Sequence, residues 1–204
     1  MTAKFAAALL LVAAVGTSAA TLAAGNQEQG QAKAATCVAC HGVDGNSMSP
    51  EWPSIAGQHH GYLVRHLKAF RAGERQNVLM SPMAMALSDE DIDDLAAYFS
   101  AQALRPTGET EPSKLALGQR LFRGGDIARG IAACSGCHGP AGAGNPGAGY
   151  ASIKGQHATY AAAQLRAYRS GERKTDPNQM MRAVAAKLSD ADIDALASYV
   201  QGMR

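Results

Sequence analysis

Cys37-Val38-Ala39-Cys40-His41-Gly42 and, 97 residues further on, Cys134-Ser135-Gly136-Cys137-His138-Gly139 decide the reading of this 204-residue chain. The two runs do not recur alone. Ser54-Ile55-Ala56-Gly57-Gln58-His59 returns as Ser152-Ile153-Lys154-Gly155-Gln156-His157, and Gly73-Glu74-Arg75 as Gly171-Glu172-Arg173. Leu87-Ser88-Asp89 returns as Leu188-Ser189-Asp190, while Tyr62, Leu67, Phe70 and Tyr98 match Tyr160, Leu165, Tyr168 and Tyr199. The period is that of a domain, not of a solenoid unit. Its offset grows from 97 at the cysteines to 101 at the last matched segment, so residues are inserted between elements while the elements themselves are kept.

Each half reads as helical. Gln58–Ala72 and Gln156–Ser170 place apolar residues on one stripe and Arg/Lys on the other. Ser88 and Ser189 stand as helix N-caps, each with an aspartate (Asp91, Asp192) three residues on, in the manner of a capping box. Ile92, Leu95, Ala96 and Phe99 then form an apolar stripe, as do Ile193, Leu196, Ala197 and Val200. No β-alternation competes. The expected fold is all-α, a tandem duplication of a small domain of three or four helices joined by long loops. The first domain is expected over residues 25–103, a linker carrying Pro106, Gly108 and Pro112 over 104–112, and the second domain over 113–204. So few aromatic residues (5%) make a thin core for domains of this size, and a large apolar cofactor would give the helices a surface to pack on.

Residues 1–24 read as a secretory signal peptide. Lys4 is the positive n-region, Phe5 to Val15 the apolar h-region, and Thr21-Leu22-Ala23 or Ser18-Ala19-Ala20 the cleavage site. The apolar run is too short for a stable membrane span, and the mature protein is expected outside the cytoplasm. The formal net charge is +2, unevenly placed: residues 24–105 hold 6 basic and 9 acidic side chains (net −3), and residues 106–204 hold 12 and 8 (net +4). Such a dipole orients a molecule between partners of different charge. No basic stripe interleaved with aromatics is present, so nucleic acid is not an expected partner.

Cys-x-x-Cys-His is the attachment signal of c-type haem. On a helical turn the two cysteines project to one side, where each can bond a haem vinyl carbon as a thioether, and the next residue turns its imidazole to the iron. Cys37, Cys40 and His41 are assigned to one haem, and Cys134, Cys137 and His138 to a second. Two disulfides would leave the paired histidines unexplained. A thioredoxin-like motif would need a βαβ context, and a zinc site built from both pairs would span far more than ribbon spacing.

A histidine-ligated iron has a second axial position, and a methionine thioether there closes the iron and suits electron transfer. Met80, Met83 and Met85 are the candidates in the first half, Met180 and Met181 in the second. Counting back seven residues from the matched Leu87 and Leu188 gives Met80 and Met181. Met83 faces Val184, Met85 faces Ala186 and Met180 faces Leu79. Met80 and Met181 are therefore the expected axial ligands, and the other three are read as core filler. Pro53 stands where a rigid carbonyl would receive the His41 ring N–H, with Ala151 in its place in the second half. Gln58, His59, Tyr62, Gln156, His157 and Tyr160 recur in both halves and are candidates for the haem propionates or a domain interface. His60 and His66 lack histidine counterparts and are read as solvent-facing.

On Cys37-Val38-Ala39-Cys40-His41-Gly42-Val43-Asp44-Gly45-Asn46, Leu121-Phe122-Arg123-Gly124-Gly125 and Met181-Arg182-Ala183-Val184-Ala185-Ala186-Lys187-Leu188-Ser189, the chain resembles the bacterial dihaem cytochrome c4 family over essentially its whole mature length. The resemblance implies two class I cytochrome c domains related by a pseudo-twofold axis, facing each other across their haem propionates, with His/Met coordination. It implies a periplasmic protein, soluble or peripherally membrane-associated, that takes electrons from redox donors and passes them along a respiratory chain towards a haem-copper terminal oxidase. The dipolar charge pattern agrees with the family's, and Ala151 departs from it where a proline would be expected.

The function expected is thus electron transfer through two covalently bound haem c groups, with no small-molecule substrate and no catalytic residue. The alternatives are the haem subunit of a periplasmic dehydrogenase complex and a dihaem peroxidase. A peroxidase needs one iron able to open, and a matched methionine for both irons counts against it.

Overall fold

The computed structural model describes residues 25–204; the signal-peptide reading of residues 1–24 lies outside them. The chain is helical, with only two isolated antiparallel bridges, Asp126 to Ile131 and Asn145 to Tyr150, among the described residues. The first repeat contains α1 (Gln27–Lys33), α2 (Val38–His41), α3 (His60–Arg71), α4 (Met80–Met85) and α5 (Asp89–Ser100). The second contains α6 (Pro112–Gly124), α7 (Ser135–His138), α8 (Ala158–Ser170), α9 (Met180–Ala185) and α10 (Asp190–Gln201). Each domain has three helices of some length and two of one or two turns. The short ones escape a periodicity search because an amphipathic stripe needs more turns to declare itself.

In both repeats the first helix crosses the last, α1 on α5 and α6 on α10. A glycine makes the crossing close. A Cβ on Gly30 would lie 2.0 Å from the Asp94 carbonyl oxygen, and one on Gly118 would lie 2.4 Å from that of Ala195. Tyr98 and Tyr199 bracket the same crossings, each with its Cβ under 3 Å from the position of the absent side chain. The long middle helix, α3 or α8, packs on the last helix from another side and carries the short helix α4 or α9.

The last helix of each domain starts as the sequence predicts. Ser88 Oγ accepts from the Asp91 N–H and Asp91 accepts from the Ser88 N–H; Ser189 and Asp192 do the same. Behind these caps Ile92, Leu95, Leu196 and Ile193 are buried. The first core gathers Ala34, Leu63, Leu95, Ala96 and Phe99. The second is larger and adds Leu121, Phe122, Ile131 and Met203.

Residues 103–111 run without helix between the two domains and are pinned to both. The Arg105 N–H donates to Asn46 Oδ1 at 2.7 Å, the Thr107 hydroxyl to the Gly155 carbonyl at 2.9 Å, and the Glu111 N–H to Ser198 Oγ at 2.8 Å.

Candidate haem sites and the seam between them

Cys37 and Cys40 lie at the start and within the single turn of α2, and His41 ends it. Cys134, Cys137 and His138 repeat this on α7. A glycine at positive φ follows each histidine (Gly42, φ 81°; Gly139, φ 75°) and stops the turn. All four cysteines are free thiols. Among the described residues no three His, Cys, Asp or Glu side chains converge as a metal site would require, so neither a disulfide framework nor a zinc cluster uses the cysteines.

Each of the two histidines is oriented by one hydrogen bond. His41 Nδ1 lies 2.8 Å from the Pro53 carbonyl oxygen, and His138 Nδ1 lies 2.8 Å from that of Ala151. A carbonyl can only accept, so Nδ1 carries the hydrogen and Nε2 keeps its lone pair, the form an iron requires. Burial lowers the pKa of both imidazoles against the opposing pull of these carbonyl bonds, which favours the neutral ring. The equal distances show that the carbonyl, not the proline ring, supplies the orientation. Burial raises the Cys37 thiol and pushes Cys134 up to about 11, as expected of sulfurs facing an apolar surrounding.

The methionines divide by environment. Ala84 and Ala185 are both fully buried under the short fourth helix of their domains, and they are 101 residues apart, the offset that sets Met80 against Met181. Met80 and Met181 are half-buried. Met83 and Met85 are 53% and 68% exposed, so they do not serve as core filler in this structure. Met180 accepts a contact from the Tyr150 hydroxyl at 3.9 Å. The donor set therefore fits a haem in each domain: two free thiols and a neutral imidazole on one turn, with a half-buried thioether on α4 or α9. Exposed Val43, Met48, Val78 and Leu79 add an uncovered apolar set in the first domain of the kind a macrocycle would bury.

The residues that recur beside the sites build a seam between the domains. Gln58 donates through Nε2 to the Ser152 carbonyl at 2.8 Å and accepts from the Ser152 N–H at 3.0 Å. Gln156 does the same to Ser54, at 2.8 and 3.0 Å. The Tyr160 N–H donates to the Pro50 carbonyl at 3.1 Å, and His157 Nε2 donates to that of Ser47 at 2.9 Å. Two arginines cross over: Arg75 reaches the Tyr160 hydroxyl at 3.1 Å, and Arg173 reaches that of Tyr62 at 2.9 Å.

His66 is not solvent-facing as its sequence position suggests. It is 5% exposed, stacks on Tyr62 with ring centroids 4.2 Å apart, and lies 3.3 Å from Arg173 Nη2. Its helix face looked open because the covering surface belongs to the other domain. His60 is less deeply placed, with Nε2 donating to the Asp93 carbonyl at 3.3 Å. Sequence reasoning also missed Gly30 and Gly118. Their offset is 88, not 97, because the bridged loop 126–131 lies between the first helix and the cysteines in the second repeat only.

The cytochrome c family model matches residues 27–102 and 115–204. The cytochrome c4 of Pseudomonas aeruginosa is 45% identical over 194 residues, covering 95% of this chain and 96% of that one. The crystal structure of reduced recombinant cytochrome c4 from Pseudomonas stutzeri superposes with a TM-score of 0.86 at 46% identity, covering 89% of this chain and all of that one. A thiosulfate dehydrogenase electron acceptor of Stutzerimonas stutzeri is 41% identical over 170 residues, covering 81% of this chain and 78% of that one.

Proposed function

Because this chain belongs to the cytochrome c4 family, an all-α tandem of two cytochrome c domains that carries two covalent haem c groups and transfers electrons without being an enzyme, we propose that Cys37, Cys40, Cys134 and Cys137 are the thioether anchors and that His41, Met80, His138 and Met181 are the axial ligands. The observation that carries the assignment is the pair of imidazoles, each holding Nδ1–H on a carbonyl at 2.8 Å one helical turn from two free thiols. When bound, haem supplies a one-electron couple. The protein's own residues fix each ring's tautomer, offer a soft sulfur, and limit water around the site.

The proposed domain limits are 25–103 and 113–204, joined by 104–112. The proposed location is the periplasm, reached through the signal peptide over residues 1–24, with peripheral attachment to the membrane as a further element of the reading. No helix among the described residues is long and apolar enough to cross a membrane. The proposed electron acceptor is a haem-copper terminal oxidase. A second reading has this protein receive electrons from a periplasmic dehydrogenase; the similarity to the thiosulfate dehydrogenase electron acceptor favours it on the donor side.

The test is intact mass with a pyridine haemochrome spectrum of mature protein, followed by Met80→Ala and Met181→Ala. Two c-type haems are expected, with half of the sulfur-to-iron charge-transfer band lost in each variant. A full band in either variant, or its loss in Met83→Ala or Met180→Ala, would reassign the ligand.

A further inference from the structure

The seam holds more positive charge and more hydrogen-bond donors than its own residues can satisfy. Arg65, Arg75 and Arg173 all reach into it, and none of them forms an ion pair among the described residues. Arg173 is only 6% exposed. Its partners are neutral: Gln164 Oε1 at 2.8 Å, the Tyr62 hydroxyl at 2.9 Å and His66 Nε2 at 3.3 Å. Arg75 shares the same Gln164 oxygen at 2.9 Å. Burying a guanidinium without an anion costs several kcal/mol in effective desolvation.

The buried polar atoms that lack a partner lie on the same groups: Arg65 Nε, Arg173 Nε, His66 Nδ1, Thr175 Oγ1 and His59 Nε2. Since Arg173 can only donate, His66 Nε2 accepts, and the unpartnered Nδ1 must carry a hydrogen. The two arginine nitrogens, the His66 N–H and the threonine hydroxyl are thus donors facing no acceptor. The field is visible in the seam's own groups. Burial pushes the Tyr62 phenol up, yet Arg173, Arg75 and Arg65 outweigh it and the net shift is downward. Burial and then the same three arginines hold His66 well below its ordinary value.

We propose that Arg65, Arg75 and Arg173, with His66 and Thr175 as neutral donors, form a carboxylate-binding site between the domains, whose ligands are the propionate side chains of the haems. The proposal rests on the dihaem reading above. The site is lopsided. The first domain contributes Arg65 and His66 where the second has Ala163 and Gln164, although the surrounding Gln, Tyr and Arg positions match. Since Arg75 and Arg173 cross the boundary, each domain's cation serves a site that the other domain shares.

The experiment uses the intact holoprotein and begins with the haem count of wild type and variants. Reduction potentials are then measured by spectroelectrochemistry, and the carboxylate stretch by redox-induced infrared difference. In Arg173→Gln the anions lose a buried cation and favour ferric iron, so the redox balance of at least one haem should move about tenfold towards the oxidised form, the order expected for one charge at an effective dielectric of about 20. The carboxylate band should move with it, and Arg173→Lys should restore most of both. If Arg173→Gln fails to accumulate with two haems, Arg65→Ala carries the same test, alanine being the residue of the second domain there. Wild-type potentials and bands in a dihaem variant would overturn the site. So would a saturable shift of the wild-type potentials on adding inorganic phosphate, which would give the donors to a soluble anion. A wild-type count other than two haems would overturn the functional reading, and the site with it.

Discussion

Gln58 of the first domain closes a two-bond ring on Ser152 of the second, the residue next to the carbonyl that receives the His138 ring N–H. Gln156 closes the matching ring on Ser54, next to the carbonyl that receives His41. Each domain therefore grips the segment that orients the other domain's histidine. Replacing either glutamine by alanine removes two hydrogen bonds and strands a peptide N–H and C=O, a loss of about 2 kcal/mol. The distinctive outcome is crossed: Gln58→Ala should shift the potential of the second haem, and Gln156→Ala that of the first. Domain-resolved redox titration with thermal unfolding checks this, and a shift confined to the variant's own domain would refute the coupling.

The glycine crossings predict domain-selective instability. A methyl at residue 30 meets the Asp94 carbonyl oxygen at 2.0 Å, and one at residue 118 meets that of Ala195 at 2.4 Å. Both obstacles are backbone and cannot rotate away, so the helices must separate. Gly30→Ala and Gly118→Ala should each cost about 3 kcal/mol, the first unfolding the N-terminal domain before the second and the second reversing that order. Denaturant titration followed through the two Soret components would show it. A single unchanged transition in both variants would mean that the helices have room to part.

Acid should loosen the second domain through Asp192. The hydrogen bonds from Arg129, at 2.7 and 3.1 Å, with those of the Ser189 cap, outweigh the burial that would raise this carboxyl and hold it at about 2 against an ordinary 3.8. The folded value is the depressed one. The stabilisation is therefore fully present above pH 3.8 and is lost as pH falls towards 2. Asp192→Asn should lower stability by about 2 kcal/mol at neutral pH, from the lost charged hydrogen bonds. The gap from wild type should close below the folded pKa. Urea midpoints measured down through that range decide it, and a gap that stays constant with pH would place the effect in packing instead.

Much of this architecture is legible in the chain, for physical reasons that also set the limit. Cys-x-x-Cys-His is read from spacing because thioether attachment and iron ligation fix the spacing. Ser88-x-x-Asp91 and Ser189-x-x-Asp192 are read because a helix start is solved locally. His66 was misread because its partners, Tyr62 excepted, come from the other domain, and a helix face carries no mark of what covers it. Gly30 and Gly118 stayed hidden because a glycine's meaning here is a contact with a helix some 65 to 80 residues away in sequence. The seam glutamines stood out as recurrent, but their role needed the coordinates: recurrence marks a position, whereas only geometry shows that each glutamine serves the opposite repeat.

Pro53 and Ala151 permit the sharpest small test. The two carbonyls hold their histidines at the same 2.8 Å, although one belongs to a proline and the other does not. What the sites share is the clamp on the following serine, Ser54 by Gln156 and Ser152 by Gln58. If that clamp sets the carbonyl, the proline's ring adds only its restriction of the unfolded chain, worth about 0.4–1 kcal/mol. Pro53→Ala should therefore lower unfolding stability by that amount and leave the haem count, the charge-transfer band and the first haem's potential as in wild type. Gln156→Ala, with Pro53 intact, should change that potential. If Pro53→Ala shifts the potential while Gln156→Ala does not, the proline ring rather than the glutamine orients His41, and the two domains have reached the same geometry by different means.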